Sequence, residues 1–106
     1  MIKEVLKVSK IAPFRTRYDV LSKMMEEVGE LAQEVGIKEG YQRRQPGKDG
    51  VTGECVDVII TALDLIFVDN PEVERMDILE VLNKKLAKWA SYCPPKIETA
   101  ECCYSE

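Results

Sequence analysis

The sequence predicts an all-α chain: a helical bundle of three main helices, completed by homo-oligomerisation. Two patterns and one total predict it. Apolar residues recur at helical spacing in three long segments. Gly and Pro gather between those segments. With 106 residues and 45% hydrophobic content, the chain is expected to form one domain, 1–106, with one modest core.

Residues 1–13 read as an N-terminal arm, either a turn of helix or an extended lead-in closed by Pro13. The first long helix is expected over about 16–35. There Leu21, Met24, Val28, Leu31 and Val35 repeat at i, i+3, i+7, i+10 and i+14 and define an apolar face. Gly36 suits a C-cap. Gly29, mid-helix, costs about 1 kcal/mol relative to Ala and suggests close approach of another helix or a ligand. Residues 37–51 hold three Gly and one Pro and form a loop, with Lys38, Arg43, Arg44 and Lys48 as a local excess of positive charge.

The second helix is expected over about 52–68. Apart from Cys55, its polar residues from Glu54 onward are Glu54, Asp57, Thr61 and Asp64. Their offsets of 0, 3, 7 and 10 put them on one narrow stripe of an otherwise apolar helix. Such a helix is normally buried on most sides, and buried carboxylates are normally paired or bound to metal. Asp69-Asn70-Pro71-Glu72 reads as a break and restart, with Pro71 in the first turn of a third helix that runs to about 92. Met76, Leu79, Leu82, Leu86 and Trp89 form its expected buried stripe, and Lys84, Lys85 and Lys88 sit in its C-terminal half, where the helix dipole favours cations. Residues 93–106 read as a loose tail after Cys93-Pro94-Pro95.

Composition narrows the chemistry. The net charge of −4, from 19 acids and 15 bases, does not suggest a surface for a nucleic acid polymer. The chain has no histidine, which removes the commonest general base, the usual zinc ligand and the Glu-x-x-His pairs of di-iron bundles. Catalysis would rest on carboxylates, Lys, Arg, Tyr or Cys. Cys55, Cys93, Cys102 and Cys103 are expected as free thiols of a reducing, cytoplasmic compartment. The apolar run 58–68 is too short to span a bilayer, so no membrane partner is expected.

Two helices each present acids at i, i+3: Glu27 and Glu30 on one, Glu54 and Asp57 on the other. A loop long enough for an antiparallel return joins them. If the acidic edges face each other, four carboxylates surround one point, a ligand set for a hard divalent cation. Mg²⁺ is the usual ion when phosphates also bind, with Mn²⁺ a possible substitute. Glu26 and Asp64 lie at the edges of this set, placed to serve a second ion or orient water. A solvated acidic face would account for Glu26, Glu27, Glu30 and Glu34 alone. It does not account for Glu54, Asp57 and Asp64 on an apolar helix.

Glu26-Glu27-Val28-Gly29-Glu30 matches E-E-x-x-E, and Glu54-Cys55-Val56-Asp57 matches E-x-x-D, with 23 residues between. In these motifs the chain resembles the MazG-like branch of the all-α nucleoside triphosphate pyrophosphohydrolases, a group that includes dimeric dUTPases and dCTP pyrophosphatases. The similarity runs from about residue 14 to 94. The resemblance implies Mg²⁺-dependent hydrolysis of a (deoxy)nucleoside triphosphate to a nucleoside monophosphate and pyrophosphate. By position it implies Glu27, Glu30, Glu54 and Asp57 as metal ligands and Glu26 as the group that activates water or holds a further Mg²⁺. It also implies a phosphate-binding lysine after the second motif, for which Lys85 is the best match and Lys88 the alternative. Lys38 corresponds to a basic residue often found past the first helix. A lysine on the third helix and the basic loop could together clamp the β and γ phosphates, although a solvated connector accounts for the loop equally well. No side chain matches a base-recognising residue of the family.

Val56, Ile60, Leu63 and Phe67 point away from the acidic stripe and are expected to meet another subunit in a homodimer or tetramer, unless the arm or the tail covers them. The competing reading is a non-catalytic helical oligomerisation or regulatory module of the same fold.

Overall fold

The computed structural model describes residues 1–94, which are all-helical, with four helices and no strand among them. The stretch expected as a tail therefore lies, from residue 95 on and with Cys102 and Cys103, outside the described residues. The chain divides into two units, Met1–Arg75 and Met76–Glu106. The first holds α1 (Ile2–Ile11), α2 (Arg17–Lys38) and α3 (Gly50–Asp69). Apart from its first residue, α4 (Arg75–Ser91) belongs to the second.

The arm is a full helix rather than a turn or an extended strand. Ile2, Val5, Leu6 and Ser9 share one face of α1, and Leu6 and Ser9 are buried. The helix stops at Ala12, which is extended because Pro13 follows it. A capping box starts α2: the Asp19 N–H donates to Thr16 Oγ1 at 3.1 Å, and the Thr16 N–H donates to Asp19 Oδ2 at 2.9 Å.

Gly36 does not end this helix. The helix runs on to Lys38 and closes in a Schellman motif around Gly40, at φ +82°. The Tyr41 N–H donates to the Gly36 carbonyl at 2.8 Å and the Gly40 N–H to the Ile37 carbonyl at 3.1 Å. No other helix among the described residues makes the close approach expected at Gly29: beyond its own helix backbone, no described atom lies within 4 Å of where its Cβ would stand.

The buried face of α2 is rotated from the expected one. Val20 and Glu27 are its buried residues, with Met24, Leu31 and Glu34 half-buried, whereas Leu21, Val28 and Val35 are exposed. The rotation is roughly 60° and brings Glu27 to the centre of the contact with α3. The antiparallel return is marked at one end by an ion pair at 2.8 Å between Arg17, at the start of α2, and Asp69, at the end of α3.

Packing of α1 against α3 covers part of what was expected to face another subunit. Leu63 is buried, and Phe67 is half-buried with the Arg15 guanidinium 6.0 Å from its ring centre. Val56 and Ile60 stay exposed, at 41% and 42%. The restart after α3 falls later than expected. Residues 70–73 form a turn in which the Val73 N–H donates to the Asn70 carbonyl at 2.9 Å and the Glu72 N–H to Asn70 Oδ1 at 3.2 Å. Val73 is buried, and α4 begins only at Arg75. None of the α4 residues expected as a buried stripe is buried, and Met76, Leu82, Leu86 and Trp89 are exposed. No described helix is long and apolar enough to cross a membrane.

Candidate metal centre

The rotation of α2 decides the site. Glu27 projects into the α2–α3 interface and is 8% exposed. Glu30, one turn on, and Glu54, in the second turn of α3, meet it there. One carboxylate oxygen from each of the three lies within 4.8 Å of the other two. Glu27 Oε1 and Glu54 Oε1 are both buried and have no hydrogen-bond partner. A buried carboxylate oxygen without a partner is costly, so native chains leave one mainly where something else completes it.

The electrostatics agree. Burial pushes the Glu27 carboxyl above its ordinary range, contact with Glu30 and the charge of Asp57 push the same way, and Lys23 opposes them. Burial also pushes Glu54 up, helped by the charges of Asp57, Glu27 and Glu34 and opposed by a contact with Glu30. Among the described residues, the one cation paired with the cluster is Lys23, on the turn before Glu27. Its Nζ stands 3.7 Å from Glu27 Oε2 and 3.5 Å from Glu26 Oε1, and its side chain is mostly exposed. A single screened lysine does not neutralise three carboxylates.

The residues singled out in the sequence fall into distinct groups. Glu27, Glu30 and Glu54 are brought together. Asp57 lies outside that trio but near enough for its charge to act on both Glu27 and Glu54. Glu26 points to solvent beside Lys23 and outside the trio. Lys38 ends α2 and lines a cleft of about 600 Å³ with Glu34, Pro46 and Val51. Lys85 and Lys88 are exposed on α4, in the second unit.

Asp64 is not available for a second ion. Arg15 grips both of its oxygens, through Nε at 2.9 Å and through Nη2, and Ser9 Oγ donates to it at 2.7 Å. The same guanidinium donates to the Ser9 carbonyl at 3.0 Å and the Pro13 carbonyl at 2.9 Å. Arg15 holds the Asp64 carboxyl below its ordinary range, with Ser9 adding to the effect.

Three residues escaped the sequence reading. Lys23 was legible as the i−4 neighbour of Glu27. Glu34 was taken only as one of a run of acids, yet its Oε2 accepts the Gly47 N–H at 2.9 Å and ties the loop to α2. Thr52 lines a groove beside Glu54 and Asp57, and no sequence signal marks it.

The donor set is all oxygen, clustered, under-neutralised and partly orphaned, which fits a hard divalent cation such as Mg²⁺ or Mn²⁺. Family models, curated proteins and solved structures were each compared with the chain, and none matches.

Proposed function

We propose that this chain is a divalent-metal-dependent nucleoside triphosphate pyrophosphohydrolase. The observation that carries the reading is the pair of buried, unpartnered oxygens on Glu27 and Glu54, set against Glu30. The reaction class is what the resemblance of the E-E-x-x-E and E-x-x-D motifs implies. Glu27, Glu30 and Glu54 would hold the cation, and Asp57 would add charge to the site. When bound, Mg²⁺ supplies positive charge against the triphosphate and acidifies water, the two things a site without histidine most needs.

The chain's own residues do the rest. Helices α2 and α3 bring one oxygen of each of the three carboxylates within 4.8 Å of the other two, which lowers the reorganisation needed when charge develops. Asp57 and Glu26 are the acids outside the trio that are left to orient water. The reaction adds water across the α–β phosphoanhydride: the water oxygen bonds to the α phosphorus and pyrophosphate leaves with the bridging oxygen. Lys38, Lys85 and Lys88 are the phosphate-binding candidates that the resemblance implies. The chain would work in the cytoplasm as a homodimer or tetramer. The exposed apolar residues Leu21, Met25 and Val28 on α2, with Ile59 and Ile66 on α3, support self-association.

The test is a panel of ribo- and deoxyribonucleoside triphosphates with Mg²⁺, followed by release of pyrophosphate and of the monophosphate. The expected result is paired release of both from at least one nucleotide. The same exposed apolar residues would also suit a non-catalytic oligomerisation module. Silence across the panel from folded protein favours that alternative.

A further inference from the structure

The acid cluster opens onto a groove of about 500 Å³ lined by Lys48, Asp49, Thr52, Gly53, Val56, Glu54 and Asp57. Glu54 belongs to both, so the groove adjoins the acid cluster. Of the basic residues at 38–48, Lys48 is the one that lines it. Lys38 lines the adjoining cleft beside Pro46, which shares Asp49 and Thr52 with the groove, and Arg44 donates to Gln33 Oε1 at 3.3 Å. Lys48 makes no ion pair among the described residues, although three acids share its groove.

The position of Lys48 has a structural cause. Its neighbour Gly47 donates its N–H to Glu34 Oε2, and the Gly47 carbonyl accepts the Gly50 N–H at 3.2 Å. A Cβ at residue 47 would stand 2.9 Å from Glu34 Oε2, so glycine lets the carboxylate approach that closely. Glu34 thereby fixes the last turn of the loop to α2 and sets where Lys48 enters. The Asp49 side chain makes no capping bond to α3, so the first turn of α3, which carries Thr52, faces the groove without a side-chain cap.

We propose that this groove is the subsite for the phosphate chain, that Lys48 is its cation, and that Glu34 is the positioning residue that aims Lys48 by latching the loop. The inference rests on the metal-centre reading above and assigns the phosphate end of that site. Lys48 places one charge opposite phosphate oxygens, and the Thr52 hydroxyl adds a donor. Asp49, Glu54 and Asp57 repel a bare anion, so the phosphate chain enters only with a divalent cation in place.

The experiment is calorimetric titration of inorganic pyrophosphate into the full chain, with and without saturating Mn²⁺, alongside titration of Mn²⁺ alone. Lys48→Gln is expected to weaken pyrophosphate about tenfold and leave Mn²⁺ affinity unchanged, while Lys48→Arg restores most of the loss. Lys7→Gln on α1 controls for net charge. Glu34→Ala is expected to mimic Lys48→Gln. Glu34→Gln, which loses the same charge but keeps an acceptor for Gly47, retains near wild-type affinity. Failure of the Mn²⁺-saturated wild type to take up pyrophosphate, or equal affinity in Lys48→Gln, overturns the groove assignment and leaves the metal centre standing. Loss of affinity in Glu34→Gln equal to that in Glu34→Ala overturns the latch. Failure of the wild type to bind Mn²⁺ at all overturns both readings. Lys48 is on the surface, so its variants carry the test even if Glu34→Ala does not fold.

Discussion

Asp64 and Glu54 stand on one stripe of α3, ten residues apart, in similarly half-buried settings. Asp64 is neutralised within the chain. Arg15 and Ser9 bond both of its oxygens, and its carboxyl is held below the ordinary range. Glu54 meets other acids. One of its oxygens is buried without a partner, and its carboxyl is pushed up. The same residue class on the same helix thus serves two ends. The Asp64 end ties α1 to α3. The Glu54 end keeps unspent charge at the point where α2 and α3 meet. A carboxylate that the fold satisfies stabilises the fold, and one that the fold leaves bare is a candidate for a ligand.

The largest expected effect separates the two ends by function. Glu54→Gln should lower kcat/KM for pyrophosphate release by roughly 10³-fold or more, since it removes a ligand where transition-state charge is stabilised. The metal-free variant should melt no lower than wild type, because a neutral amide relieves repulsion from Asp57 and Glu27. Retained turnover would break the comparison at the Glu54 end.

Next in size is Arg15→Ala. The pair is largely shielded, with side chains 18% and 22% exposed, so leaving Asp64 without its partner should cost about 2–3 kcal/mol. In a domain of this size that is a fall in Tm of roughly 10 °C. The double variant Arg15→Ala/Asp64→Asn should recover part of the loss, because no unpaired charge remains. Mn²⁺ affinity should not change in either, as neither residue belongs to the trio.

A smaller effect appears in the pH dependence of stability, and the two ends give opposite signs. The Asp64 contribution is complete above the ordinary value of 3.8 and is lost as pH falls through its depressed folded value. Glu27 and Glu54 have raised folded values, so their contribution is complete below the ordinary 4.5 and is lost as pH climbs through those raised values. Metal-free Tm should therefore fall at both limits, and Mg²⁺ should recover the loss on the alkaline side alone. Thermal melts from pH 3 to 8, with Mg²⁺ and with a chelator, measure it. Equal recovery by Mg²⁺ on both sides would contradict the assignment.

The two ends also differ in how far the sequence reveals them. Glu27, Glu30 and Glu54 were legible because motif spacing and a polar stripe on an apolar helix are local patterns. The Arg15–Asp64 pair spans 49 positions, and nothing local links its members, so Asp64 reads as one more acid of the stripe. The helical state of residues 2–11 was obscured by Ser9, a polar residue on the buried face that belongs there only because Asp64 lies opposite. Val73 explains the late start of α4. Its burial holds residues 70–73 in a turn, a tertiary demand that Pro71 does not signal. The role of Glu34 was hidden for a similar reason, since its partner is a backbone amide 13 residues on.

The most direct measurement is titration of Mn²⁺ into the metal-free chain at neutral pH, followed by electron paramagnetic resonance of the free ion. Wild-type protein should take up Mn²⁺ saturably, competed by Mg²⁺, and Glu27→Gln and Glu54→Gln should each abolish uptake while Asp64→Asn preserves it. Uptake that never saturates in the wild type, or that survives in both glutamine variants, would contradict the account.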